Sequence, residues 1–145
     1  MTGKTYFGSA LKAGSDPSEN SDPGHVTLVQ HVTMQAAGNA TENASLKIPA
    51  DAEILDIVFD TTVAHTAATF AVSAGITAGG TEYASAVNVK AAGRVRPTFT
   101  GAQLAAMADV NANTTVYFQG AAGTPTTVGT TIISLHYRMR ADTDA

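Results

Sequence analysis

The sequence predicts an all-β fold: a two-sheet antiparallel β-sandwich, jelly-roll-like, with one short helix and an extended N-terminal arm. From His25 to Met139, short runs of alternating apolar and polar residues are each closed by Gly, Pro, Asn or Asp, which is typical of strands joined by turns. Strands do not alternate with helical segments, so a parallel sheet is not expected. About eight strands suit a jelly roll or, as the alternative, an immunoglobulin-like sandwich.

The alternation has period two, which assigns successive side chains of each strand to opposite faces. In the strongest strand, Glu53 to Asp60, the two faces are expected to be Leu55, Ile57 and Phe59 on one side and Ile54, Asp56, Val58 and Asp60 on the other. In the other strands, the residues that share a face are Val26, Leu28, Val32 and Met34; Ala44, Leu46 and Ile48; Phe70 and Val72; Val87 and Val89; Val95 and Phe99; Val116 and Phe118; and Ile133, Leu135, Tyr137 and Met139, the last four pointing inward.

Proline, glycine and capping residues mark where these elements end. Pro97 predicts an edge or irregular strand, because proline cannot donate a hydrogen bond to a ladder. Thr100 and Gln103 have the spacing of a capping box, which predicts a helix of about two turns. This helix is expected to end at Asp109 to Asn113 and to cover one end of the sandwich. The stretch Gly120 to Pro125 is the expected connection between the last two strands.

Composition divides the chain into three parts. Residues 25–139 carry the strands and form one sandwich domain, of a size that buries an independent core. Residues 1–24 are predicted to be a flexible N-terminal arm, and residues 140–145 a C-terminal tail. Within the arm, Ala13 to Gly24 has no aliphatic residue larger than Ala. Such a stretch cannot bury enough apolar surface to offset the entropy of ordering it.

The large apolar side chains of the arm lie just before this polar stretch. They are Tyr6, Phe7 and Leu11, and an extended arm would place them against a neighbouring subunit or the surface of another partner. A frayed terminus without such a role is the alternative interpretation.

Charge and composition exclude several classes of function. Charged residues make up 14% of the chain, against about 25% in a typical soluble protein, and the formal net charge is −4. The basic residues are scattered, so the dense cationic surface that neutralises phosphates is missing and no nucleic acid is expected as a partner. With no Cys, no signal-peptide pattern and no apolar run of about 20 residues, the chain is expected to be made in a cytoplasm and to bind no membrane.

Metal-binding patterns are weak throughout the sequence. None of the four histidines has a partner at the i,i+2 or i,i+4 spacing that brings imidazoles together on a strand or helix. They are His25, His31, His65 and His136. The stretch Asp16 to Asp22 resembles the start of a calcium loop. It has Ser21 where the loop requires Gly, and Thr27 where it requires a bidentate Glu.

Catalytic patterns are equally weak. The stretch Ala71 to Gly75 is similar to a nucleophile elbow, but loop residues follow it where a helix is required. Asp56 and Asp60 share one strand face, and paired carboxylates serve glycosidases, although a solvated polar face explains them more simply. We therefore predict that the protein is not an enzyme and uses no cofactor and no metal.

Several segments together resemble small structural proteins of tailed bacteriophages. They are Ile48 to Asp60, Thr69 to Gly75, Gln103 to Met107, Val116 to Gly120 and Gly129 to Tyr137. Within that group the chain is similar to head decoration, or cement, proteins. The resemblance implies a virion structural protein that forms a homo-trimer, binds the major capsid protein and stabilises the outside of the capsid, after synthesis in the host cytoplasm.

The candidate partner-binding residues belong to two regions. Arg94 and Arg96 share a predicted outward face and are candidates for docking to acidic residues of a capsid; pairing within the chain or with solvent is the alternative. Tyr6, Phe7 and Leu11 of the arm are the other candidates.

Two further functions stay open at this point. A head-fibre, tail or baseplate component would share the fold but occur at low copy number. A carbohydrate-binding module usually displays exposed aromatic rings, whereas this chain has no Trp and only 6% aromatic residues, most of them on predicted core faces.

Overall fold

The computed structural model describes residues 26–139, so the predicted arm and tail, with Tyr6, Phe7 and Leu11, lie outside the described residues. The described part folds into eight strands and one short helix. They are β1 Leu28–Gln35, β2 Thr41–Ile48, β3 Ala52–Val63, β4 Phe70–Gly75, β5 Ala84–Asn88, β6 Gly93–Val95, α1 Gly101–Met107, β7 Thr114–Ala122 and β8 Thr130–Met139.

The strands form two four-stranded antiparallel sheets. Sheet A has the order β1-β8-β3-β6, and sheet B has the order β2-β7-β4-β5. Four of the pairings join β1 with β8, β2 with β7, β3 with β6 and β4 with β5. The first strand thus pairs with the last, the second with the seventh, and so on inward along the chain. This nested pairing is that of one long hairpin folded over into two sheets. The fold is therefore the predicted jelly-roll sandwich and not the immunoglobulin-like alternative.

The core lies between the two sheets and consists of their inward side chains. Phe59, Phe70 and Phe118 are its largest fully buried residues. The predicted alternation is confirmed in β8, where Ile133 and Leu135 have no exposed surface. Burial of each large apolar side chain contributes about 1.5–3 kcal/mol, which makes the core the main source of stability.

Strand β3 departs from strict alternation at Leu55. Its register with β8 shifts between Ile54 and Asp56, and the extra residue of such a bulge exchanges the two faces of the strand. Ile54 before the bulge is 3% exposed, Ile57 and Phe59 after it are 0% exposed, and Leu55 is 36% exposed. The prediction that Leu55 shares a face with Ile57 and Phe59 is therefore wrong, and Ile54 belongs to the core.

The capping box forms as predicted. Thr100 Oγ1 accepts a hydrogen bond from the Gln103 backbone N–H at 3.2 Å, and Gln103 Oε1 accepts one from the Thr100 N–H at 3.0 Å. The helix buries Met107 in the core, and Val110 beyond it forms a backbone bridge with Ala52 of β3. Helix and bridge together cover one end of the core beside β3, as expected for a lid.

The position of Pro97 was predicted correctly, whereas the start of the connection after β7 was not. Pro97 follows β6, which is a short edge strand, as predicted. The connection expected at Gly120 to Pro125 starts later, because β7 continues to Ala122. Gly120 lies within β7, where the absence of a side chain leaves room for the ring of Phe70. A Cβ at this position would lie 2.4 Å from Phe70 Cε1.

Three apolar residues at one end of sheet A lack the burial that their inward parity predicts. Val26 is 72% exposed, and Leu28 and Met139 are 40% exposed. Met34 and Leu135, which have the same parity further along β1 and β8, are 2% and 0% exposed. We call the first three residues the open end. Met139, which was predicted to point inward with Ile133, Leu135 and Tyr137, is therefore not part of the buried core.

Candidate binding surface

The outer face of sheet A carries rows of charged, hydroxyl and imidazole side chains. The strand register places these residues in three rows: Val29, His136 and Asp56; His31, Ser134 and Val58; and Thr33, Ile132, Asp60 and Arg94. Residues directly opposite each other on one face have Cβ atoms about 4.5–5.5 Å apart, so the rows form a continuous surface.

Two arginines pair with the aspartates of β3 on this face. Arg94 Nε lies 2.6 Å from Asp60 Oδ1, and Arg96 Nη2 contacts Asp56 Oδ2 directly. The hydrogen bond from Arg94 to Asp60, together with the negative charge of Asp60, raises the pKa of Arg94. The arginine side chains are 71% and 66% exposed. Water therefore screens both pairs, and their contribution to folding stability is small.

Among the four side chains of these two ion pairs, Asp56 is the least exposed, and both of its carboxylate oxygens have a partner. Its side chain is 15% exposed, and its Oδ1 accepts a hydrogen bond from the Ile57 backbone N–H at 2.9 Å, while Oδ2 contacts Arg96. The pairing within the chain that the sequence left as an alternative is therefore present. Any partner contact made by Arg94 or Arg96 would use side chains that are already held in position, which lowers the entropic cost of binding.

The surface extends along the sheet in both directions. Arg138 Nε lies 2.8 Å from Glu53 Oε1, and this third ion pair continues the charged face toward the open end. A shallow groove on the face is lined by Val29, Asp56, Val58, Asp60, Arg94, Arg96, Ser134 and His136. His31 and His136 come from different strands and are diagonal neighbours in the β1–β8 register, a proximity that spacing along the chain does not reveal.

The outer face of sheet B differs in being uncharged over its centre. Its register places Asn43, Gln119 and Ser73 in one row and Thr41, Ala121, Ala71 and Asn88 in another. Gln119 Nε2 donates a hydrogen bond to Asn43 Oδ1 at 3.0 Å. The domain thus has one charged outer face and one outer face whose centre carries small uncharged side chains, with Lys47 near one end of it.

The polar residues of the weak catalytic patterns make ordinary structural contacts. Asp56 and Asp60 each bind an arginine, and Ser73 Oγ accepts a hydrogen bond from the Ala86 N–H at 3.0 Å. Within residues 26–139, no group of three or more His, Asp or Glu side chains is placed to hold a metal ion. The helix in this part of the chain is too short to cross a membrane.

Comparison with known proteins identifies two phage capsid chains with the same fold. A chain of the cyanophage Pam1 capsid asymmetric unit matches with a TM-score of 0.60 and 17% identity, over 91% of this chain and 94% of that chain. A chain of the capsid of Ralstonia phage GP4 matches with a TM-score of 0.58 and 18% identity, over 85% of this chain and 89% of that chain. No protein-family model and no curated protein matches the sequence. At these identities the likeness shows a shared fold.

Proposed function

We propose that this chain is a non-enzymatic structural protein of a tailed-phage virion, which decorates the outside of the capsid as a homo-trimer bound to the major capsid protein lattice. The observation that carries the proposal is the extent of the structural match. Both capsid chains align over at least 85% of this chain and at least 89% of their own length. Each match therefore covers a whole small subunit of a capsid and not one domain of a larger protein.

The two outer faces of the sandwich suit binding to a lattice. The arginines of sheet A are anchored by Asp56 and Asp60 and expose most of their side-chain surface, so they are placed to meet carboxylates of a partner. The uncharged centre of the outer face of sheet B permits close packing against a neighbour without charge repulsion. Because each copy contacts a repeating surface, several weak contacts act together as one strong attachment.

The exposure of the aromatic rings favours this function over sugar binding. Among the Phe and Tyr rings of residues 26–139, only Tyr117 belongs to the exposed residues, at 37%, and Phe99 is half-buried. Tyr83 and Tyr137 are 4% and 6% exposed, and Phe59, Phe70 and Phe118 are buried. A carbohydrate-binding module would stack a sugar on a broad exposed ring, and the described surface offers one partly exposed tyrosine.

The decisive experiment is to quantify this polypeptide against the major capsid protein in purified particles from its source. We expect a ratio of one, or another simple fraction set by the lattice, as for a protein that covers the capsid. A few copies per particle would favour the head-fibre, tail or baseplate alternative. Complete absence from particles would overturn the proposal.

Binding of the purified chain to particles that lack it tests the surface. The double variant Arg94→Gln with Arg96→Gln is expected to bind about ten times more weakly, since it removes the two arginines that pair with Asp60 and Asp56. The matched control is Lys47→Gln with Lys90→Gln, which removes the same charge outside both this surface and the uncharged centre of sheet B and is expected to bind normally. Equal binding by the two double variants would show that the arginines do not contact the capsid.

Removal of residues 1–24 tests the arm. The sandwich is expected to remain folded, with an unchanged circular dichroism spectrum, while binding to particles is lost. Full binding by the truncated chain would rule out a role for Tyr6, Phe7 and Leu11 in attachment.

A further inference from the structure

The open end is a continuation of the core that nothing in the described part of the chain covers. Leu28 lies opposite Tyr137 in the β1–β8 register, and Met139 lies opposite Ala52 in the β3–β8 register. Tyr137 and Ala52 are buried, at 6% and 0% exposure, whereas Leu28 and Met139 are 40% exposed. The lid formed by the helix and Val110 therefore covers the β3 side of this end and leaves the β1–β8 side uncovered.

The position of β1 adds a second feature to this surface. It is the first strand of sheet A, and among residues 26–139 it pairs on one side only, with β8. An unpaired strand edge presents main-chain N–H and C=O groups that another extended segment can pair with. Its eight residues contain no Pro, Lys, Asp or Glu, so the charges and prolines that commonly protect an edge are absent from it.

We propose that the open end and the adjoining edge of β1 bind the Tyr6–Leu11 segment of a second copy of this chain. The composition of the chain outside residues 26–139 selects this occupant. Ala13 to Gly24 contains no aliphatic side chain larger than Ala, and residues 140–145 read Arg-Ala-Asp-Thr-Asp-Ala. Neither stretch can supply apolar surface for the open end, whereas Tyr6, Phe7 and Leu11 supply three large side chains within six residues.

The connecting segment is long enough to reach the open end of a second copy. Residues 12–25 join the apolar segment to Val26, which is itself part of the open end, and if extended they reach roughly 45 Å. Pro17 and Pro23 favour extended backbone, and Asp16, Glu19 and Asp22 repel one another. An immediate reversal at Pro23-Gly24 would place the polar residues before it, and not Tyr6 or Phe7, beside Leu28.

Sedimentation equilibrium of the full-length chain tests the proposal in solution, without particles, so its outcome is independent of capsid binding. We expect concentration-dependent self-association that Leu28→Ser with Met139→Ser weakens about tenfold or more, because each substitution removes apolar surface from the contact. Tyr6→Ser with Phe7→Ser is expected to weaken it to a similar extent. The matched control is Ile76→Ser with Leu104→Ser, two apolar residues that are 49% and 53% exposed elsewhere, which should leave association unchanged.

Mixing the two defective double variants distinguishes exchange between copies from docking within one copy. The open-end variant keeps an intact arm, and the arm variant keeps an intact open end. A mixture is therefore expected to form a one-to-one complex that neither variant forms alone. Thermal melting checks that each variant is folded, and Val26→Ser, at the most exposed position of the open end, serves as a second probe of the site.

Three results would overturn the proposal. The full-length chain could remain monomeric at concentrations of about 100 μM, a range in which contacts of this kind are populated. Association could persist unchanged in both the Leu28→Ser, Met139→Ser and the Val26→Ser variants, which would mean that copies meet through another surface. The mixture of defective variants could stay monomeric, which would show that the arm of one copy does not bind the open end of another.

Discussion

The two ends of the sandwich are closed in different ways. At the end where β8 begins, Thr61, His65 and Thr131 form a buried polar cluster. The backbone at Gly129 packs directly against the ring of His65. At the opposite end, a helix and Val110 cover the β3 side with apolar side chains, and the open end is left uncovered. We call the first the polar end.

Every hydrogen of the polar cluster can be assigned from its partners. Thr61 Oγ1 donates to the Val89 carbonyl at 2.9 Å, so it must accept from Thr131 Oγ1, 2.9 Å away. Thr131 Oγ1 must then accept from His65 Nε2, also at 2.9 Å. His65 therefore carries a proton on Nε2. Its Nδ1 is buried and has no hydrogen-bond partner within residues 26–139, and a second proton there would lack an acceptor, which favours the neutral ring.

The comparison shows that the polar end is specified by directional contacts and the opposite end by apolar cover. His65 is 2% exposed, Thr61 is 4% exposed and Thr131 is fully buried, so a missing hydrogen bond there leaves a polar group away from water. A missing contact at the open end leaves apolar surface in water, and part of this surface is already exposed in the described part of the chain. Substitutions at the polar end are therefore expected to cost more.

The largest effect is expected for Gly129→Ala. Gly129 has φ of +144°, and a Cβ there would lie 2.1 Å from His65 Nδ1, so backbone strain and a ring clash combine. We expect the free energy of unfolding to fall by about 3 kcal/mol or more. Gly93→Ala is the control, because Gly93 has φ of +136° with no atom within 4 Å of its Cβ position. Its loss, from strain alone, is expected to be about 1–2 kcal/mol. Urea unfolding measures both, and equal losses would contradict the clash.

The next effect in size is expected for Thr131→Val. The substitution keeps the shape of the side chain but removes the acceptor of the His65 N–H and the donor to Thr61, at a cost of about 2 kcal/mol. Thr33→Val, at an exposed position of β1, is the control and should change stability by less than about 0.5 kcal/mol. If both variants unfolded at the same urea concentration, the cluster would not contribute to stability.

Acidification is expected to weaken the polar end through His65. Burial lowers its pKa below the ordinary value of 6.5, and the charge of Glu42 opposes this only in part. The unfolded chain then binds a proton at a higher pH than the folded chain. The contribution of neutral His65 is complete above pH 6.5 and is lost as the pH falls from 6.5 toward the lower folded pKa.

Unfolding measured between pH 7 and about pH 5, above the ordinary carboxylate range, checks this expectation. His65→Gln keeps a donor for Thr131 but does not titrate, so its stability should fall less over the same interval. If the free energy of unfolding changed equally with pH in the two proteins, His65 would not be the source of the pH dependence.

The smallest effect is expected at the opposite end, for Thr100→Ala. The variant loses the side-chain acceptor of the Gln103 N–H and should lower the free energy of unfolding by about 1 kcal/mol. Thr98→Ala, at an exposed position outside the capping box, is the control and should be close to neutral. A loss at Thr100 as large as that at Gly129 would contradict the difference between the two ends.

Much of the fold follows from local patterns in the sequence. Alternation along β8 identifies Ile133 and Leu135 as core residues, and the Thr100–Gln103 spacing locates the helix. Such signals depend on neighbours within a few residues, where side-chain parity and capping geometry are set by the backbone itself. The exception within a strand is Leu55, since a bulge is visible only in the pairing with a second strand.

The candidate binding surface was predictable only in part. Arg94 and Arg96 were identified as an outward pair, but their partners were not, because Asp56 and Asp60 are four residues apart and the arginines two. Arg94 lies directly opposite Asp60 in the register, and Arg96 reaches Asp56 from beyond the end of β6. Sequence spacing carries no information about such a register, which depends on how β3 and β6 align.

The sequence by itself determined the class of the domain, most of its strand faces, the helix that begins after Thr100 and its low charge, because each of these is set by composition or by residues close together in the chain. Only the tertiary structure decided the nested strand order, the polar cluster around His65 and the exposure of Leu28 and Met139. These depend on which strand lies opposite which and on where one sheet ends over the other. Inward parity predicts burial only where a second sheet is present to cover it.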